Sequence, residues 1–108
     1  DLADLLEHDC LHLSERVVPL AVRSYYDANR REESFDSFFK GYNLSAVFRM
    51  LQLLGTLKAH RFGMDDVTRS TVQHFYQERL SLRLHTLVDM DSGYRNEAAS
   101  LEGFVLAS

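Results

Sequence analysis

An all-α fold, a compact bundle of about four to five helices, is the architecture this sequence predicts, on three observations. Apolar residues recur three and four apart over long stretches, the repeat that puts side chains on one helical face. One proline and five glycines in 108 residues leave few breakers, so connections are short. No stretch alternates apolar and polar residues with period two over a useful length, so no strand is expected.

The first helix is read from Leu2 to about Leu13: Leu2, Leu5, Leu6 and Leu13 lie near one stripe, with Asp4, Glu7 and His8 elsewhere. Ser14 is a cap for the second helix. Pro19 has no N–H to donate, so that helix is expected to start near Val18, with Val18, Val22, Tyr25 and Tyr26 as its stripe and the polar run 29–33 as its end. Ser34 caps a third helix on which Phe35, Phe38, Phe39 and Tyr42 share a face. The period restarts at Ala46, Val47, Met50, Leu51 and Leu54; Gly41 and Asn43 are expected to bend or divide the stretch, which ends before a turn at Phe62-Gly63. Phe38, Tyr42, Met50, Leu51 and Leu54 are expected to be buried together. Asp65 or Asp66 caps the fourth helix, its negative charge at the positive helix end. Val72, Phe75, Tyr76, Leu80, Leu84, Leu87 and Val88 form its stripe, and Asp91-Ser92-Gly93 stops it. Residues 1–90 thus form a helical subdomain. Residues 91–108 are a C-terminal tail whose short amphipathic segment, Leu101, Phe104 and Val105, is expected to fray.

Composition narrows the function classes. Apolar residues are 45% and charged residues 26%, ordinary for a globular protein and too apolar for intrinsic disorder. The net charge of −4, with no basic patch in either half, argues against nucleic acid as a partner. No apolar run reaches the length of a membrane span, and no positively charged start followed by an apolar stretch reads as a signal peptide. The single cysteine, Cys10, excludes an internal disulfide and fits a reducing compartment, so a cytoplasmic location is expected. The first residue is Asp1 rather than Met, so a chain that has been cut, processed or taken from a larger protein is expected.

Few residue sets suggest chemistry. His8 and His12 are four apart and would share a helix face, but a metal site needs three or four ligands, and Cys10 would point away from both. His60, His74 and His85 have no ligand-like spacing. Asp89 to Gly93 lacks the Gly at position 6 and Glu at position 12 of a calcium loop. Cys10 follows Glu7 and Asp9 in an acidic neighbourhood, whose charges oppose thiolate formation. The aromatic set from Phe35 to Tyr42 has the spacing of core. Arg49 and Gln52, embedded in an apolar helix, are expected to satisfy a carboxylate or carbonyl. There is no Gly-rich phosphate loop, no His-x-Asp catalytic loop and no Ser/His/Asp set. No catalytic, cofactor-binding or metal-ligating residue is therefore assigned.

Two stretches taken together carry a family resemblance. The chain opens Asp1-Leu2-Ala3-Asp4-Leu5-Leu6, and Phe38-Phe39-x-Gly41-Tyr42-x-Leu44-x-Ala46 runs on into Arg49-x-Leu51-Gln52-x-Leu54-Gly55-Thr56. This resembles the C-terminal part of the aminoglycoside phosphotransferase-like family of small-molecule kinases, in which a "DLA-LL" helix follows the metal-binding aspartate and a later helix reads roughly "Y-L-A-x-R-x-LQ-x-LG". His74-Phe75 to Leu87 is similar to the family's closing helix, with Leu80-Ser81 where the family often has Ile-Pro. The resemblance covers residues 1–88.

The resemblance implies the helical end of a kinase-like C-lobe, in a protein that moves phosphate from a nucleotide to a small hydroxylated acceptor, a sugar or an aminoglycoside-like molecule. The catalytic aspartate, metal ligands and nucleotide-binding N-lobe would lie upstream, so ATP and Mg²⁺ are expected only for the intact parent and no cofactor for this chain. Partners would be the remainder of the kinase fold and the acceptor. Asp1 carries over as a structural residue near the catalytic loop, and Tyr42, Arg49 and Gln52 as structural or acceptor-side residues. A severed lobe would expose an apolar face at Leu2, Leu5, Leu6, Phe35 and Phe39, through which a homodimer is expected. The rival is a free-standing all-helical regulatory, sensor or protein-interaction domain without catalysis. It accounts for a self-contained domain but not for the run from Arg49 to Gly55.

Overall fold

In the computed structural model, which describes residues 2–9, 11–29, 32–59 and 63–107, the periodicity resolves into five α-helices with no strand among those residues. They are α1 (Leu2–Leu6), α2 (Val17–Ala28), α3 (Phe35–Ala59), α4 (Asp66–Met90) and α5 (Arg95–Ala107), with a 3-10 turn at Ser92–Tyr94 leading into α5. Asp1, Cys10, His60 and Phe62 lie outside the described residues.

α3 and α4 form the principal pair, and α1, α2 and α5 pack around them. At 1.5 Å per residue each long helix runs roughly 37 Å. That sets the long dimension of a slab measuring 44 × 31 × 21 Å. The core lies along the seam: Met50, Ala46 and Val47 from α3, Tyr76, Leu80, Leu84 and Leu87 from α4, with Val18 and Val22 from α2 and Ala3 and Leu6 from α1. Phe38, Leu51 and Leu54 are only partly buried against it. α3 shifts its buried face along its length, which leaves Leu44 and Phe48 outward, Phe48 at 71% exposure.

α4 begins and ends where its caps dictate. The Asp65 carboxylate accepts the Thr68 N–H at 2.6 Å. At the other end Asp91 accepts the Gly93 N–H at 2.9 Å and starts the 3-10 turn. Ser34 Oγ accepts from Ser37 N–H at the start of α3. Pro19 stands third in α2, so its missing N–H falls among first-turn donors that have no helical acceptor.

Four expectations are corrected. α1 stops at Leu6 instead of reaching Leu13: its last backbone bonds are made by Glu7 and His8, and His12 turns the chain with φ of +47°. His8 and His12 therefore do not share a helix face. His12 stacks on Phe75 with ring centroids 4.7 Å apart. α3 is continuous through Gly41 and Asn43, since a Cβ at Gly41 would meet nothing and the Asn43 amide donates back to the Phe39 carbonyl at 2.8 Å. Residues 95–107 form a packed helix rather than a frayed tail. Ala98 and Val105 face the core, while Phe104 is 74% exposed. Three polar groups of α4 hold it, with Gln77 donating to the Val105 carbonyl at 3.1 Å and Ser81 and His85 meeting Glu102. Of the apolar residues expected on a severed face, Leu5 is exposed, Leu6 is buried, and Leu2, Phe35 and Phe39 are partly buried.

Candidate functional site

Arg79 and Arg83 stand one turn apart on α4, among the apolar stripe residues, and both are buried. They reach into the segment after α1. Arg83 donates to Glu7 through Nε at 2.9 Å and to Glu15 through Nη2 at 2.9 Å. Arg79 donates to Glu7 at 3.2 Å and to the Leu13 carbonyl, and stacks over Phe75. The Tyr42 hydroxyl of α3 donates to the same Glu7 carboxylate. Nearby, the Tyr76 hydroxyl donates to Asp9 at 2.9 Å. Burial works against the Arg83 charge, but Glu7 and Glu15 outweigh it and push its pKa above the ordinary value. Burial, with the Glu7 charge behind it, pushes the Tyr42 phenol well above its usual range. Two guanidiniums are matched by two carboxylates, so the cluster has no spare charge for an anion. It ties the segment 7–15 to α3 and α4.

That anchoring shapes a cleft of about 350 Å³ at the N-terminal edge of the fold, between α1, the second half of α2 and the first half of α3. Leu2 and Ala3 form one wall; Tyr25, Phe38 and Tyr42 supply aromatic surface; Glu33, Ser37 and Ser45 supply polar groups. Tyr25 and Phe38 are stacked, 6.1 Å between centroids and 18° between planes. Ser37 Oγ donates to Glu33 Oε2 at 3.2 Å, and Tyr26 fixes the Glu33 carbonyl at 2.6 Å, so the carboxylate is held at the cleft. An apolar, aromatic wall beside a few fixed hydroxyl and carboxylate groups is the make-up of a small-molecule site.

The residues named from sequence separate into two places. Tyr42 lines this cleft, but its hydroxyl is committed to Glu7. Arg49 pairs with Asp4 of α1 at 2.9 Å, an ion pair that is half-exposed rather than buried. Gln52, exposed one turn on, borders a shallow depression with Arg49, Gly55 and Thr56. Asp1 lies outside the described residues. Glu7, Arg79, Arg83 and Glu33 went unrecognised in sequence. The two arginines had a visible signal, since they fall at stripe spacing between Tyr76, Leu80 and Leu87. Glu33 had none, because it sits in a polar connection. Among the described residues no group of three or more His, Cys, Asp or Glu could hold a metal ion, and no helix is long and apolar enough to cross a membrane. Compared with family models, curated proteins and solved structures, the chain gives no match.

Proposed function

We propose that this chain is the C-terminal helical subdomain of a small-molecule phosphotransferase, and that the cleft between α1, α2 and α3 is its acceptor-side wall. The cleft is the observation that carries the proposal: it sits against α1, the helix with the "DLA-LL" pattern that in the resembling family follows the metal-binding aspartate, and its lining suits an amino sugar. Tyr25 and Phe38 take the C–H face of the ring. Glu33 accepts from hydroxyl or ammonium groups, and Ser37 and Ser45 complete the polar side.

The role is positioning. Phosphoryl transfer gains most from holding the attacking hydroxyl in line with the phosphate, and a rigid acceptor wall supplies that orientation. The Glu7–Arg79–Arg83 cluster supports the wall by fixing the end of α1 to α4. The described residues do not fit a nucleotide or its metal, having neither a Gly-rich loop nor a metal-binding carboxylate group. No step of the transfer is therefore routed through them. Nucleotide and Mg²⁺ belong to the rest of the parent, and the cytoplasm is its compartment.

The reading frame upstream of Asp1 tests the proposal. It should encode a His-x-Asp and an Asp-x-Asp shortly before Asp1. Its full product should phosphorylate amino sugars from Mg-ATP, with Glu33→Gln raising the acceptor KM while changing kcat little. A frame without both motifs, or a product with no transfer, overturns the assignment.

A further inference from the structure

A second cavity lies at the other end of α3. The C-terminal half of α3, the first turns of α4 and the end of α5 enclose a groove of about 520 Å³, within the ~300–1,000 Å³ of small-molecule sites. Leu51, Leu54 and Val105 make its apolar wall; Lys58 and Arg69 bring two positive charges to it, with the amide of Gln73. No carboxylate stands among the described residues that line it. The chain as a whole carries a net charge of −4. Of the other described cations, Arg23, Lys40, Arg49, Arg79 and Arg83 each pair with a carboxylate, while Arg16 and Arg95 stand apart from this groove. Lys58, Arg69 and Gln73 make no side-chain hydrogen bond or ion pair among the described residues. Gln77, by contrast, is occupied by the Val105 carbonyl and holds α5 in place as a groove wall.

Two like charges facing one partly enclosed apolar groove repel each other and favour an anion between them. An arginine fork accepts both oxygens of a carboxylate, and a lysine adds a point charge to it. The leucines beside them suit hydrocarbon. We infer that this groove binds a single-headed anionic amphiphile, an alkyl carboxylate whose head lies between Lys58 and Arg69 with a hydrogen bond from Gln73, and whose tail runs along Leu51 and Leu54. The site is independent of the acceptor cleft. Gly41 lines one and Gly55 the other, about 20 Å apart along α3.

Calorimetry on the whole chain with decanoate, below its micelle-forming concentration, tests this. Saturable one-to-one binding is expected, with amide shifts at Gly55 and Gln73. Acetate, which lacks the tail, and decyltrimethylammonium, which reverses the charge, should not bind. Lys58→Gln and Arg69→Gln should each weaken decanoate about tenfold, with unchanged thermal midpoints. Absence of saturable decanoate binding overturns the inference. So does equal binding of the ammonium amphiphile or of acetate, or wild-type affinity in both variants.

Discussion

Glu7 is 2% exposed and accepts hydrogen bonds from Tyr42 on α3 and from Arg79 and Arg83 on α4. A buried ion pair adds modest net stability when complete, because desolvation offsets much of the attraction. Breaking it is different, since the remaining charges stay buried without their partner. Glu7→Ala would leave Arg79 and Arg83 with Glu15 alone and should lower unfolding stability by ~3–5 kcal/mol. That is a large share of the ~5–15 kcal/mol of an ordinary domain. The urea midpoint reads it, and a loss below about 1 kcal/mol would contradict a central role for the cluster. Tyr42 gives a pH signature. Its phenol stays protonated in the fold at pH values where an unfolded tyrosine, with pKa near ~10, ionises. The native state then holds a proton the unfolded state has lost, so stability falls as pH rises above about 10. Tyr42→Phe should flatten that alkaline limb, and ultraviolet titration of the native protein should find the Tyr42 phenol resistant to ionisation.

At the scale of elements, legibility followed the kind of force involved. α4 was readable at both ends because its boundaries are local: Asp65 caps one and Asp91-Ser92-Gly93 closes the other. α1 was not, because what ends it is tertiary. The chain leaves the helix after Leu6, and Glu7, the Leu13 carbonyl and Glu15 then meet two arginines some seventy residues away in sequence. Periodicity alone, which put Glu7 off the apolar stripe, carries no such information. α3 separates two neighbouring positions that the sequence pattern treats alike. Met50 is fully buried and Leu51 partly so. Met50→Ala should therefore cost ~2–5 kcal/mol and Leu51→Ala distinctly less, measured as urea midpoints. Equal losses would place the buried face of α3 wrongly. Gly41 lies inside this helix with open space where a Cβ would stand. Gly41→Ala should raise stability by ~0.5–1 kcal/mol while adding a methyl group to the cleft between α1, α2 and α3. A gain in thermal midpoint together with weaker acceptor binding is the expected pair of results.

For the whole molecule, charge sets the pH range and tertiary folding sets the site. Asp65 is held below the usual carboxylate range by the Thr68 N–H, Asp91 by the Gly93 N–H and then Lys40, and Glu102 by the Ser81 hydroxyl and then His85. In each case the unfolded chain takes up a proton first as pH falls through about 4. Stability should thus drop on the acid side as well, giving a plateau between the two limbs. Hydrogen exchange should find the Thr68 amide less protected in Asp65→Ala while Leu84 is unaffected. The helical composition was legible throughout because stripes at helical spacing dominate both α3 and α4. The cleft was legible only in part: its aromatics stand on those stripes, whereas Glu33 lies in a connection and reaches the ring pair only through the packing of α2 on α3. Titration of the isotope-labelled chain with glucosamine, followed amide by amide, tests the acceptor role proposed for the cleft directly. Saturable shifts confined to Ser37, Phe38, Gly41 and Ser45, weakened about tenfold by Glu33→Gln and not produced by Mg-ATP, are the predicted result; no saturable shift at these amides, or saturable binding of Mg-ATP to this chain, would contradict it.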